Sequence, residues 1–380
     1  MRLLVVGHTY MIRVNQEKWI QMAKLNRDIE IMLITPKCWP HKLFNINVEI
    51  LKDVERITHI AMNTFFTGKE TYYVYRGEIS RVIKEFKPHI IHVEQGAHAL
   101  VYFQVISKTR KLIPPPKKVF FTWWNLPYSL LPPKKWIERY NLKHTDLAIC
   151  GNQEAAEILR KRGYKGRIEI LPQLGVDPDI YYPRNESKLR KDLGLDNKIV
   201  IGYVGRLVKE KGLLTLLDAL FMLSDIDWQL LIIGKGELKD LLINKIKKRN
   251  MEDRLIIIDS LPHHEIPLFL NCMDIFVLPS ETSPFWKEQF GHVLIEAMAC
   301  GVPVVGSNSG EIPRVIGDAG MVFEEKNSFD LKNKIKRLLM DEKLRQEMGR
   351  KGRNRVLKKF THVEIARKLL SVYRELLSNN

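Results

Sequence analysis

Leu278–Ser307 reads LPSETSPFWKEQFGHVLIEAMACGVPVVGS, and the fold is decided there. The apolar run Asp274-Ile-Phe-Val-Leu278 leads into a polar, proline-bearing loop. Gly291 then opens a helix whose apolar residues Val293, Leu294, Ala297 and Met298 recur at helical spacing. Gly301-Val-Pro303 ends that helix before a second apolar run. Strand, loop, helix, strand is a crossover unit of a parallel sheet. The helix starts with N–H groups that have no intrahelical partner and with the positive end of its dipole, both suited to phosphate. Glu288 lies just before it, and Glu296, eight residues on, lies in its second turn. Carboxylates so placed can grip hydroxyls at two points of one extended ligand with phosphate between them, the outline of a nucleotide sugar. The spacing also fits a helix-surface glutamate at 296 and a dipole partner at 288, so the residues alone leave both readings open.

The stretch resembles the donor-binding segment of family 4 glycosyltransferases, the glycosyl transferases group 1 type, which are retaining enzymes with the two-domain GT-B fold. The matching residues are Glu288, Phe290-Gly291, Glu296-Ala297, Gly301-Val-Pro303-Val304 and Gly310-Glu-Ile-Pro313. The resemblance implies that Glu288 holds the donor sugar and Glu296 the ribose. A second matching segment runs from the apolar Ile199-Val-Ile-Gly-Tyr-Val-Gly205 through Arg206-Leu-Val-Lys-Glu-Lys-Gly212 into a helix expected over Leu213–Leu223. Arg206 and Lys211 flank a turn between a strand's carboxyl end and a helix, where their charges can meet a diphosphate. In the family both positions bind donor phosphate. The expected donor set is therefore Gly205, Arg206, Lys211, Glu288, Phe290, Gly291, Val293, Leu294 and Glu296, with Glu288, Arg206 and Lys211 in the catalytic roles. Pro262-His-His-Glu265 resembles the family's base-contacting region. Gly234-Lys-Gly236 lacks the third glycine of a dinucleotide fingerprint.

The first half alternates apolar runs with amphipathic ones. Strands are expected at Arg2–Gly7, Ile29–Ile34, Val48–Leu51, His89–Val93, Lys118–Thr122, Asp146–Ile149 and Arg167–Leu171. Helices are expected at Gln16–Leu25, Tyr72–Phe86, Ala97–Lys108 and Gln153–Lys161. In a doubly wound sheet, ligands sit beyond the carboxyl ends of the strands. That rule makes Gly7, His8, Glu94, Trp124 and Asn125 the acceptor-side candidates. The family often carries a histidine after the strand that here ends Thr122-Trp-Trp-Asn125, and this chain has none at that place.

Leu171-Pro-Gln-Leu-Gly-Val-Asp-Pro-Asp-Ile-Tyr-Tyr-Pro183 is dense in proline and glycine and resembles the family's interdomain segment. The expected architecture is α/β: two Rossmann-like, doubly wound parallel-sheet domains facing a cleft. An acceptor-side domain would span 1–180 and a donor domain 181–360, with a C-terminal helix over 361–378 crossing back to the first.

The 380 residues are enough for two cores, and 45% hydrophobic with 28% charged residues describes a folded chain rather than a disordered one. The net charge is +17, and residues 1–180 carry 28 Lys and Arg against 17 Asp and Glu. That excess favours polyanions such as anionic headgroups or a phosphorylated acceptor. Two basic, proline-bearing stretches, Lys108–Lys118 and Leu131–Trp136, set cations beside Leu and Trp and suit a membrane interface. Nucleic acid is not expected, since no RNA-binding motif is visible. Cys38, Cys150, Cys272 and Cys300 are scattered, without metal-ligand spacing, and are expected to be reduced thiols. The apolar N-terminal run is too short for a signal peptide, so a cytoplasmic protein, associated with the inner face of the membrane, is expected. The sequence as a whole predicts metal-independent transfer of a sugar from a nucleoside-diphosphate donor, with no cofactor. The acceptor would be a glycan, a lipid-linked sugar or a small molecule. A GT-B epimerase and a non-catalytic polyanion or lipid binder are the alternatives.

Overall fold

A computed structural model describes residues 1–40, 45–77, 79–109 and 112–378. The chain divides into two compact units: Met1–Gly175 together with the chain from His362 onward, and Val176–Thr361. Each is an α/β unit around one main parallel sheet.

In the first unit the sheet has seven strands. Their spatial order is Arg167–Ile170, Leu147–Cys150, Lys117–Thr122, Ile90–Val93, Arg2–Val6, Glu30–Pro36 and Ile57–Met62, all parallel. The central strands are four to six residues long and almost wholly apolar because helices cover both faces, which removes the alternation of a half-exposed strand. The C-terminal helix His362–Ser378 belongs to this unit. Its Ala366, Leu369, Leu370, Tyr373 and Leu376 join Leu3, Val5, Trp19 and Met22 in one core cluster.

The second unit has six parallel strands in the order Leu255–Ile258, Trp228–Ile233, Ile199–Val204, Ile275–Leu278, Val304–Ser307 and Met321–Phe323. Gly212, at φ 66°, begins the helix Leu213–Phe221, and a Cβ on it would lie 1.8 Å from the carbonyl oxygen of Pro279. A side chain there would drive apart the two loops that follow the central strands.

Several elements differ from the sequence reading. Val48–Leu51 is not a strand; the sheet's edge is Ile57–Met62, whose six residues all pair with Ile31–Pro36, while the Leu51 amide donates to His59 Nδ1 at 3.0 Å. The helix expected over Tyr72–Phe86 spans only Ile79–Phe86. Val74–Tyr75 instead pairs with Thr64–Phe65 in a short hairpin, and the burial of Tyr73 and Tyr75 follows the two-residue period of a strand. Within the basic stretch Leu131–Trp136 a helix begins at Lys134 and runs to Lys143. Of the basic stretch Lys108–Lys118, Arg110 and Lys111 lie outside the described residues. None of the four cysteines is in a disulfide; Cys38 is exposed and the other three are buried. Among the described residues no helix is long and apolar enough to cross a membrane.

Leu369 is buried on the returning helix. Leu369→Ala is expected to lower the unfolding free energy by about 2–5 kcal/mol through the cavity it leaves. Urea denaturation checks this, and a loss below about 1 kcal/mol would show that the helix adds little to the core.

Candidate functional site

In the second unit the strands after Ile199–Val204 are added on one side and Ile275–Leu278 starts the other side. The strand order therefore reverses between these two neighbours, and a crevice opens beyond their carboxyl ends. Gly205–Gly212 leaves the first strand and Pro279–Gly291 the second, so the two segments singled out in the sequence flank that point.

Lys211 Nζ lies 2.6 Å from Glu288 Oε2, and Ser280 Oγ donates to the same oxygen at 2.9 Å. Both partners of the ion pair are mostly buried. The Lys211 ammonium also sits 4.5 Å over the ring of Trp286, an attractive placement for a cation. Gly310, at φ 55°, lets the backbone close on the loop from the other side, since a Cβ there would meet the Glu288 carbonyl oxygen at 1.9 Å. Arg206 contrasts with Lys211. Its guanidinium is 63% exposed with Glu210 3.9 Å away, while its carbonyl accepts from the buried Tyr203 hydroxyl at 2.8 Å. The backbone is fixed and the charge is presented outward.

Gly291 precedes the helix His292–Ala299 with no side-chain cap, which leaves the dipole end to a ligand. Phe290 is buried edge-to-face against Phe360 and Leu294 is fully buried, so both side chains serve the core, and the Leu294 amide donates to the Gly291 carbonyl at 2.8 Å. Val293 is half-buried. Glu296 lies 3.6 Å from His263 Nε2, and Tyr181 Oη lies 3.2 Å from the same nitrogen. The Glu296 carboxylate holds the His263 imidazole above its ordinary pKa, outweighing partial burial.

In the first unit the order reverses between Arg2–Val6 and Ile90–Val93, with Gly7-His8 and Glu94-Gln95-Gly96 beyond their ends. Glu94 is sealed inside. It accepts from Lys18 Nζ at 3.1 Å, from Gln173 Nε2 at 2.8 Å and from the Tyr10 hydroxyl, with His92 Nε2 3.4 Å away. Burial pushes its carboxyl up, but Lys18, His92, Tyr10 and Gln173 outweigh that and hold it below the usual range. Gly7 packs against its side chain, where a Cβ would come within 2.8 Å. His8 stacks on Trp39 at 4.5 Å and accepts from Gln95 Nε2 at Nδ1, 2.7 Å away. Burial lowers its pKa to about 4, so it is neutral near pH 7. The two indoles separate. Trp123 donates from Nε1 to Gln173 Oε1 at 2.8 Å and fills the space above Gly151, whereas Trp124 is 46% exposed beside His98 and Tyr128. Asn125 is buried.

Lys18, Gln173, Ser280 and Trp286 were not singled out in the sequence. Lys18 carried one signal, a lysine beside Trp19 and Ile20 in a run that had to bury a face; the others join through contacts 50 or more residues away in the chain or through the loop's own fold. Among the described residues no three His, Cys, Asp or Glu side chains gather as a metal site.

Residues 185–355 match the family described as Glycosyl transferases group 1. The chain is 29% identical over 209 residues to N-acetyl-alpha-D-glucosaminyl L-malate synthase of Bacillus anthracis, covering 54% of this chain and 53% of that protein. It is 34% identical over 198 residues to the capsular polysaccharide biosynthesis glycosyltransferase CapM of Staphylococcus aureus, covering 49% and 48%. The chain thus spans about half the length of these curated relatives. Among solved structures, Anabaena HepE in complex with UDP-glucose has a TM-score of 0.70 at 19% identity over 99% of this chain and all of that one, which shows a shared GT-B fold.

Two outcomes are expected. By NMR, His263 titrates above its ordinary 6.5, and Glu296→Gln brings it down; a wild-type value at or below 6.5 would show that the pair is not formed. Because the folded value is raised, the pair's small stabilising contribution is full below the unfolded pKa and is lost as pH rises through the folded one. Lys18→Met, which strands a buried carboxylate, costs about 3–5 kcal/mol in urea unfolding, and adding Glu94→Gln restores part of it. A single variant as stable as wild type would remove Glu94 from the structural role.

Proposed function

We propose that this chain, whose residues 185–355 match the Glycosyl transferases group 1 family, is a family 4, retaining, hexosyltransferase-type enzyme. It moves a sugar from a nucleoside-diphosphate donor to a hydroxyl of a glycan, lipid-linked or small-molecule acceptor. One observation carries the reading: Lys211 and Glu288 pair at 2.6 Å just ahead of a helix N-terminus at the strand-order reversal, with the exposed Arg206 on the same loop as Lys211.

The chemistry assigns each group. As the bond from the anomeric carbon to the diphosphate oxygen breaks, negative charge grows on the leaving group. Arg206, Lys211 and the N–H groups from Gly291 to Val293 stabilise it without a metal. The acceptor oxygen bonds to the same face of the sugar, and its proton passes to the departing phosphate. Glu288 orients the sugar hydroxyls and Glu296 the ribose. Trp124 and Asn125, with Gly7 and His8, belong to the acceptor side. The UDP-glucose bound to HepE supports a nucleotide sugar as donor and puts UDP-sugars first in the search. The basic first half keeps the enzyme at the cytoplasmic face of an anionic membrane.

A thermal-shift panel of UDP-, GDP- and ADP-sugars with EDTA present tests this. A donor at about a hundred times its Kd adds about 2.7 kcal/mol, a rise of several degrees. One nucleotide class is expected to stabilise the wild type and to lose that effect in Arg206→Ala and Glu296→Ala. No shift with any donor would overturn the donor site and bring forward the polyanion-binding alternative.

A further inference from the structure

The first unit exposes large apolar side chains in two separate segments that the fold brings together. In the hairpin Phe65 is 51% and Phe66 61% exposed, and Tyr72 is nearly half exposed; ahead of and within the first turn of the helix Lys134–Lys143, Leu131 is 82% and Trp136 64% exposed. Lys134 is the seam between them. Its Nζ donates to Thr71 Oγ1 at 3.2 Å and lies 3.8 Å over the Tyr72 ring. Arg76 lies 5.4 Å over the Phe65 ring. Five large exposed apolar side chains so grouped are more than scattered surface residues, and such patches mark a contact.

Charge says what kind of contact. Residues 64–76 and 126–136 carry Lys69, Arg76, Lys134 and Lys135 against the single acid Glu70. The helix offers no acid in its first turn, so its positive dipole end points the same way. Aromatic rings interleaved with lysine and arginine fit a headgroup layer, where rings sit at the interface and cations meet lipid phosphate. The anchors are rigid: Tyr73 and Tyr75 bury the hairpin's inner face, and the Thr71 carbonyl accepts from the Leu100 amide at 3.0 Å. We propose that the Phe65–Tyr72 hairpin and the Leu131–Trp136 helix start form one docking surface for an anionic lipid bilayer. This deepens the membrane contact of the reading above by naming its surface, and it does not depend on sugar transfer. The other basic stretch is not part of it: it precedes the strand Lys117–Thr122 whereas Leu131–Trp136 follows it, so the exposed Ile113 stands at the opposite end of that strand, near Arg2, His89 and Leu377.

Co-sedimentation of the full chain with vesicles decides the matter. Partition onto vesicles containing phosphatidylglycerol is expected, weaker in high salt, with little onto phosphatidylcholine alone. Phe66→Ser and Lys135→Glu are each expected to lower it about tenfold or more. Ile113→Ser should leave it unchanged. All three positions are exposed, and an unaltered unfolding midpoint and far-ultraviolet spectrum would confirm that the variants fold. Absent partition, equal partition onto phosphatidylcholine, or equal loss in Ile113→Ser would overturn the proposal. So would a dimer in solution that Phe66→Ser disperses, which would assign the surface to a second copy of the chain. Donor thermal shifts are read without vesicles, so failure of one reading leaves the other intact.

Discussion

A parallel sheet can be joined only by crossovers, and each crossover lays a helix over a face of the sheet. Where successive crossovers run the same way along the sheet, the loops at the carboxyl ends are closed by their own helices. Where the strand order reverses, two neighbouring loops diverge and leave a crevice. That constraint fixes the site in the second unit. Ile199–Val204 and Ile275–Leu278 are neighbours that start opposite halves of the sheet, so Arg206 and Lys211 arrive from one loop and Glu288 from the other. The Lys211–Glu288 pair spans 77 residues of sequence, and the sheet's order alone brings it together.

What was legible in the sequence follows from the same burial. Strands covered on both faces must be almost wholly apolar, so Ile275–Leu278, buried at all four positions, stands where its apolar run predicts it. The helix Gln153–Lys161 was legible because Asn152 caps it, accepting from the Ala155 amide at 2.8 Å. Legibility failed where burial was one-sided or local signals competed. Ile57–Met62 is an edge strand with a broken apolar pattern, and the nearby Val48–Leu51 run carries a stronger one. In Tyr72–Tyr75 the aromatic spacing suits either period until the hairpin partner is known. The helix at Lys134 was hidden by the two prolines before it, which punctuate a loop but also suit a helix start.

The candidate site was legible as far as local chemistry reaches. Arg206, Lys211, Glu288 and Glu296 stand in short segments whose spacing carries meaning before any fold is known. Ser280 and Trp286 acquire their positions only when the loop closes on Lys211 and Glu288. Gln173 is a stronger case, for it links Trp123 to Glu94 across 50 and 79 residues. No pattern in a single sequence marks such a residue.

Each unit places a glutamate beyond a strand at its reversal point and gives it a lysine, yet the two pairs have different uses. Glu94 and Lys18 are almost wholly buried, and the carboxylate has further donors in Gln173 and Tyr10. In that low-dielectric setting, separating the charges leaves each unpaired at great cost, so a ligand cannot take either partner. The pair is therefore a strut that ties helix Glu17–Leu25 to the sheet. Lys211 and Glu288 keep some exposure, and the exposed guanidinium of Arg206 belongs to the same loop as Lys211. Solvent lowers the cost of parting these charges, and an anion entering beside them would replace the carboxylate as the lysine's partner at little net loss. Glu288, eased from Lys211, would then be available to hydroxyls. On the donor reading proposed above, degree of burial rather than the identity of the charges separates the structural pair from the exchangeable one.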